Sequence, residues 1–266
     1  MNEDIETGLG WEIKDQPWAR TTMIARVALG CRWPYSPSAL RGAVIHAIAG
    51  AHPERGESAV HSDWNGRREG DGDTLNRLPP VLYRVHGRDA ALFLWGPRTG
   101  ERLAELGRVA SLVDPENRVI PLNLCVDHEE ARVSREARHY YLYETVTPWW
   151  PPARAWARRP RGPGSDVFLS LWASESITGW LHGFFRAMGI PEQDPVSHTR
   201  IGVDVIDMKE AHAAWHRDDR DIHINQSAYH LRFVSNVMIP SGIGIGKHGA
   251  EGYGEVTMLH DYLVPK

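Results

Sequence analysis

The residues best suited to bind a charged ligand lie in a glycine-rich segment at residues 241–254 (SGIGIGKHGAEGYG). Six glycines fall within thirteen residues, and strand-like apolar residues flank them. Glycine leaves its amide N–H unshielded, so such a segment can lie against another backbone or bind phosphate. The side chains of Lys247 and His248 would place two hydrogen-bond donors at its tip. The segment is expected to face RNA or protein through Gly244, Gly246, Lys247, His248 and Gly252.

Familiar glycine motifs do not fit this segment. A Walker A loop needs four residues between its glycines and a Ser or Thr after the lysine, but three residues separate Gly242 from Gly246, and His248 follows Lys247. A dinucleotide fingerprint needs a following helix, whereas residues 253–256 favour a strand. A kinase loop lies near the start of its domain. The alternative is a hairpin with β-bulges and a purely structural role.

Arginine and tryptophan alternate in a proline-rich stretch, expected to be an insertion at about residues 148–165. Residues 131–161 carry seven arginines against two acids. Arginine neutralises phosphates and tryptophan stacks on bases, so this is the strongest nucleic-acid signal in the chain. The alternative is a solvated linker with an apolar anchor. The predicted RNA-binding residues here are Trp149, Arg154, Trp156, Arg158, Arg159 and Arg161.

Composition narrows the class of protein. The chain has 266 residues, 42% of them hydrophobic, which suits one large domain or two small ones. Its net charge of −4 is not typical of a nucleic-acid-binding protein. The chain has 26 arginines and four lysines, an excess that suits phosphate binding but that a GC-rich genome would equally explain. We predict a cytoplasmic protein, because no apolar run or signal peptide is present and two distant cysteines suggest no disulfide.

Hydrophobic periodicity predicts two units of similar design. The first should follow the order β-α-β-β-α-β, with Ser38 capping its first helix. Its predicted elements are a strand at 20–29, a helix at 38–51, a long loop at 52–77, a hairpin turning at 86–89, a helix at 98–113 and a strand at 118–128.

The second unit repeats this order less completely. Its predicted elements are a strand at 139–150, a helix at 167–189, strands at 200–208 and 223–240, and a last strand at 254–264. One helix is missing from the pattern, and residues 209–222 are predicted to supply it. The prediction is an α+β chain of two tandem ferredoxin-like (RRM-like) domains, 1–127 and 128–266.

Three stretches together resemble a known superfamily. The segment SGIGIGKHGAEGYGEV resembles the C-terminal glycine-rich loop of the repeat-associated mysterious proteins (RAMP), the RNA-binding subunits of CRISPR systems. The stretch LPPVLYRVHGRDAALFLWGPRTG resembles the proline–tyrosine–arginine hairpin of their repeat-processing endoribonucleases, the Cas-six type. The stretch LRGAVIHAIAG resembles the first helix of those enzymes, which often bears a catalytic histidine. The net negative charge, the tryptophans and the insertion depart from the pattern and suggest a divergent branch, that of type IV systems.

This resemblance implies a metal-independent endoribonuclease that needs no cofactor. It would cut CRISPR precursor RNA within the repeat, next to a stem-loop, by attack of the ribose 2′-OH, leaving a 2′,3′-cyclic phosphate. It would keep the mature crRNA and join other subunits of an effector complex. Two alternatives stay open: a non-catalytic RNA-binding scaffold of the same superfamily, and a metabolic enzyme with a phosphate-binding hairpin.

For that reaction, His46 is the first candidate for acid–base catalysis, because histidine titrates near neutral pH and helix geometry turns it away from the apolar stripe. Tyr35 is expected to hold the 2′-OH or a phosphate. Arg41 and Arg26 are candidates to stabilise phosphate charge. His52 is a substitute for His46. Each also has an ordinary explanation as a packing residue, a surface histidine or a surface ion pair.

No metal site is expected. His212 and His216 have the spacing of two ligands on one helix face, but a zinc protease would need Glu where Ala213 stands, and no third ligand is apparent.

Overall fold

The computed structural model describes residues 17–64, 79–151, 165–190, 194–198, 200–217, 222–246 and 249–263. The strands in these ranges are β1 (Trp18–Arg32), β2 (Val81–His86), β3 (Asp89–Trp95), β4 (Ser111–Val113), β5 (Val119–Pro121), β6 (Cys125–Arg135), β7 (His139–Thr145), β8 (Val203–Arg217), β9 (Ile222–Ser235) and β10 (Val256–Leu263). The α-helices are α1 (Pro37–Ala51), α2 (Glu57–Trp64), α3 (Thr99–Leu106) and α4 (Ser165–Ala187). Short 3₁₀ turns lie at Pro195–His198 and Gly249–Glu251.

The first unit is an antiparallel sheet with strand order β2-β3-β1-β6. Helices α1 and α3 connect its strands in the order β-α-β-β-α-β, and the small hairpin β4-β5 precedes the last strand. This is the ferredoxin-like arrangement predicted from the sequence. The predicted helix at 98–113 is wrong in its second half, because α3 ends at Leu106 and the chain continues into β4.

The N-cap of helix α1 lies two residues earlier than predicted. Ser36, not Ser38, is the N-cap: its hydroxyl accepts a hydrogen bond from the amide of Ala39 at 3.2 Å. Pro37 follows as the first helical residue, where its missing N–H costs nothing. The predicted loop at 52–77 contains α2, whose Val60 and Trp64 are buried.

The second unit is an antiparallel sheet with strand order β10-β7-β9-β8 and α4 between β7 and β8. The predicted helix at 209–222 is wrong, because β8 continues to Arg217 and pairs with β9 as far as Arg217↔Ile222. The glycine-rich segment occupies the position in the chain where a second helix would stand. The second sheet is therefore a ferredoxin-like unit with that helix replaced.

The two units share a core. One face of the first sheet packs against α1 and α2, with Val27, Tyr83 and Leu92 in that cluster. The opposite face contributes Ile24, Leu82, Phe93 and Trp95 to a cluster that also holds α4 and the second sheet. The ring centroids of Trp95 and Phe184 are 4.8 Å apart across this junction.

The expected domain boundary at residues 127/128 falls inside β6. That strand pairs with β1 from Cys125 to Arg135. We place the boundary after Arg135, at the turn that leads into β7. Within the described residues, no helix is both long enough and apolar enough to span a membrane.

Candidate nucleic-acid site

The glycine-rich segment packs between the two units instead of extending into solvent. Ile243 and Ile245 are buried in the shared core. The amides of Gly242, Ile245 and Gly254 donate to the carbonyls of Val256, Gly254 and Pro148. Several backbone groups of the segment are thus engaged within the protein.

Close backbone approach explains why glycine is needed here. Gly246 has φ +82°, and a Cβ on it would lie 2.3 Å from Nε1 of Trp149. Gly254 has φ +63°, and a Cβ there would lie 2.1 Å from the carbonyl oxygen of Ile245. Larger residues would both strain the backbone and displace the neighbouring chain.

The prediction that the glycine amides of this segment bind phosphate is therefore corrected in part. Gly244 is buried, and the amide of Gly252 donates to the carbonyl of Gly249 at 3.0 Å, so neither offers a free amide. Gly246 is half-buried. Lys247 and His248, the predicted tip, lie outside the described residues.

Arg84 fastens the segment to the first sheet, a role that the sequence did not reveal. Its side chain is 11% exposed, and its Nη1 lies 2.7 Å from Oε1 of Glu255, which is 15% exposed. The same guanidinium donates to the carbonyl of Gly242 and lies over the Phe93 ring, 5.3 Å from its centroid. Burial lowers the pKa of Arg84, and the Glu255 carboxylate opposes that shift. An arginine in an otherwise apolar strand, within the hairpin motif, was the available signal.

A cleft of about 180 Å³ opens where α1, β2 and the segment meet. Arg84, His86, Thr147 and Tyr253 are among its lining residues. Thr147 shapes it by donating to the Gly252 carbonyl at 2.7 Å and accepting from the Glu255 amide at 2.8 Å. His86 is exposed at the end of β2, where the chain enters the β2–β3 turn. It is a histidine beside the segment that sequence reasoning treated only as a turn residue.

The three predicted catalytic residues have different surroundings. His46 is 73% exposed and its Nδ1 lies 3.6 Å from Oε1 of Glu57. Burial raises the pKa of the Tyr83 hydroxyl, and the positive charge of nearby Arg41 opposes that shift. At roughly 100° per residue, Arg41 and His46 project about 140° apart around α1.

The Tyr35 side chain reaches the β4-β5 hairpin. Its hydroxyl donates to Oδ2 of Asp114 at 3.1 Å and accepts a hydrogen bond from Arg118. Burial raises the pKa of Tyr35 to about 12, with Glu116 and Asp114 adding to the shift. Its hydroxyl thus contacts both members of the Asp114–Arg118 ion pair.

Other predicted contacts are also changed by the fold. His52 caps the end of α1, its side chain is 6% exposed, and its Nδ1 is 3.1 Å from Glu54, so it is unsuited to replace His46. Arg26 is exposed but forms an ion pair with Glu129 at 2.8 Å.

The arginine–tryptophan stretch is only partly described. Trp149 is 1% exposed and pairs through its backbone with Tyr229, so the prediction that its ring stacks on a base is wrong for this conformation. Trp150 is likewise buried. The remaining predicted residues of the stretch lie outside the described residues: Arg154, Trp156, Arg158, Arg159 and Arg161.

The proposed histidine pair does not have helical spacing. His212 and His216 lie on strand β8, where four residues separate their Cα atoms by about 13 Å. In the parts of the chain that the structure describes, no three His, Cys, Asp or Glu side chains are grouped closely enough to hold a metal ion.

Comparison with known proteins gives a fold likeness. Neither a protein-family model nor a curated protein matches the sequence. Among solved structures, a crystal structure of Cas6b is 16% identical, with a TM-score of 0.64 over 90% of this chain and 100% of that chain.

The chain has the Cas6 fold. A second Cas6b structure, described as a CRISPR RNA processing endoribonuclease, is 14% identical with a TM-score of 0.55 over 90% of this chain and 100% of its own. A Cas6 product complex is 12% identical with a TM-score of 0.51 over 90% of this chain and 99% of its own. This likeness confirms the predicted pair of ferredoxin-like units, and in the Cas6 fold observed here the glycine-rich segment joins them.

Proposed function

We propose that this chain is a metal-independent endoribonuclease that cleaves CRISPR precursor RNA within the repeat, next to a stem-loop, and keeps the product. The observation that carries the proposal is the Cas6 fold over 90% of the chain, shared with a structure described as a CRISPR RNA processing endoribonuclease. We further propose that other subunits of an effector complex bind the retained RNA together with this chain.

The reaction proposed is attack of a ribose 2′-OH on the adjacent phosphodiester. A base removes the 2′-OH proton, the P–O5′ bond breaks, and an acid protonates the leaving 5′-oxygen, giving a 2′,3′-cyclic phosphate and a 5′-OH. His46 is the proposed acid or base because it is exposed to solvent on α1. Glu57 at 3.6 Å is placed to orient its imidazole.

The charge that builds on the phosphate needs cations nearby. Arg41 is the proposed stabilising group, and Arg26, Lys247 and His248 are proposed to grip the RNA. The arginine–tryptophan stretch at residues 148–165 is proposed to hold the stem-loop. His86 is a second candidate catalyst, since it lines the cleft beside the glycine-rich segment.

One observation favours a non-catalytic scaffold instead. Tyr35, Arg41 and His46 lie in three different environments, so the predicted catalytic group is not assembled in this conformation. A scaffold of the same fold would bind the repeat without cutting it.

Cleavage of a labelled CRISPR repeat transcript in EDTA tests the proposal. The full-length chain should cut at one site within the repeat, and the new 3′ end should resist phosphatase until acid opens the cyclic phosphate. His46→Ala should lower the single-turnover rate by about 100-fold or more, within the range for losing a general acid or base. His128→Ala, an exposed histidine on β6, is the matched control and should cut normally.

Each outcome decides between the alternatives. Normal cutting by His46→Ala and none by His86→Ala would move catalysis to the cleft. Tight binding with no cutting by the unaltered chain would establish the scaffold. An absolute requirement for Mg²⁺ would contradict the metal-independent reaction.

A further inference from the structure

A second depression lies on the first unit, around the β2–β3 turn from the cleft. It measures about 330 Å³ and is lined by Arg32, Pro34, Arg88, Asp114, Arg118, Val119 and Ile120. One strand end and two turns meet there: β1 ends with Arg32, the β2–β3 turn carries Arg88, and the β4–β5 turn carries Arg118. The amide of Trp33 donates to the Arg88 carbonyl at 2.6 Å and so ties the first two together.

Two of these arginines are available to a ligand. Arg32 and Arg88 are exposed. Within the described residues, neither side chain has an ion-pair or hydrogen-bond partner. Other arginines on the same sheet are already paired, as Arg26 is with Glu129 and Arg84 with Glu255. Unpaired guanidinium groups that converge on one depression suit an anion.

The third arginine is held in a fixed orientation. Nε of Arg118 donates to Oδ2 of Asp114 at 2.7 Å, and its other nitrogens contact Glu116 and the Tyr35 hydroxyl. Asp114 has no exposed side-chain surface and also accepts the backbone amides of Glu116 and Arg118, at 2.9 and 2.8 Å. A buried, fully bonded carboxylate thus preorganises one guanidinium at the wall of the depression.

The charge balance of the lining is positive. Three arginines against one aspartate leave a net charge of +2. Outside the lining, Glu116 lies 3.1 Å from Arg118 and Asp89 lies beside Arg32 in the strand register, so these two acids reduce that surplus, and the charge available to a ligand is mainly that of Arg32 and Arg88. His86 lines the cleft and Arg88 lines this depression, so both adjoin the same four-residue turn at residues 86–89. A polynucleotide in the cleft would reach the depression by passing that turn.

We infer that Arg32, Arg88 and Arg118 form a binding site for a backbone phosphate of the RNA that enters the cleft. This inference rests on the proposed function for the identity of the ligand. It also assigns Tyr35 as a positioning residue, which holds Arg118 and does not touch the reacting atoms.

Binding to a repeat RNA whose riboses are 2′-O-methylated tests the site, because that RNA cannot undergo 2′-OH attack. Fluorescence anisotropy over a series of salt concentrations should show Arg32→Gln/Arg88→Gln binding roughly tenfold more weakly, with a salt slope shallower by about 1. Arg32→Lys/Arg88→Lys should recover much of the affinity, since charge is retained. Arg186→Gln, an exposed arginine on α4, is the control and should bind normally.

The outcomes separate this site from the nuclease. Weaker binding with Lys rescue, in a chain that does not cut, upholds the site and refutes the nuclease. Unchanged affinity and salt slope in the double Gln variant overturn the site even if the chain cuts RNA. A lowered melting temperature without Lys rescue would assign a structural role instead. If inorganic phosphate stabilises the chain through Arg32 and Arg88 while RNA affinity is unchanged, the site serves the free ion and the inference fails.

Discussion

The ion pair between Arg84 and Glu255 should be a principal fastening of the glycine-rich segment. Both side chains are largely buried, and Nη1 and Oε1 are 2.7 Å apart. Charge centres about 4 Å apart at an effective dielectric constant of about 20 attract by about 4 kcal/mol before desolvation is subtracted. Removing one partner leaves the other charge buried and unpaired, which typically costs about 3–5 kcal/mol.

A double-mutant cycle measures this coupling. Arg84→Met and Glu255→Met should each lower the free energy of unfolding by about 3 kcal/mol, because each leaves a buried charge. The double variant should lose less than the sum, with a coupling energy of about 2 kcal/mol. Urea unfolding monitored by tryptophan fluorescence gives the free energy of unfolding of the unaltered chain, the two single variants and the double variant, since several of the eleven tryptophans are buried.

The exposed pair of Arg232 and Glu144 supplies the matched control. Its nitrogen and oxygen are 3.3 Å apart, with the side chains 52% and 34% exposed. Such a pair should couple by about 0.5 kcal/mol. If the Arg84–Glu255 coupling is no larger than that of the control, burial does not strengthen the fastening and the reasoning is refuted.

Two further predictions concern stability. Gly254→Ala should lower the free energy of unfolding by at least about 2 kcal/mol, because the left-handed backbone costs about 1–2 kcal/mol and the added Cβ clashes with the Ile245 carbonyl. Gly42→Ala on α1, which has open space around it, should raise the free energy of unfolding by about 0.5–1 kcal/mol in the same urea experiment, and equal effects of the two substitutions would contradict the packing argument. Burial lowers the pKa of His182, with Arg186 and His198 adding to the shift, so below about pH 6.5 the unfolded chain takes up a proton that the folded chain resists. Stability should therefore fall as the pH is lowered below about 6.5, and it should fall less in His182→Gln. Identical pH profiles for the two proteins would exclude that histidine.

The sequence determined the local elements well. Alternation of apolar residues located β1, the β2–β3 hairpin and β7, and helical periodicity located α1 and α4, because these patterns depend on residues close in the chain. From their order followed the pair of ferredoxin-like units that the fold comparisons confirm. The exposure of His46 also followed from its position around the helix.

Only the tertiary structure decided what happens where distant segments meet. Residues 209–217 became strand and not helix because β9 pairs with them along their whole length, a contact that local propensity does not contain. The glycine-rich segment, expected to be open, is packed because the two units close on it and Arg84 binds its carbonyl. Trp149 is buried for the same reason, and Tyr35 turns to Asp114 across 79 residues of chain. Periodicity reports which side of an element is apolar, whereas the partner of each polar side chain is fixed by long-range packing.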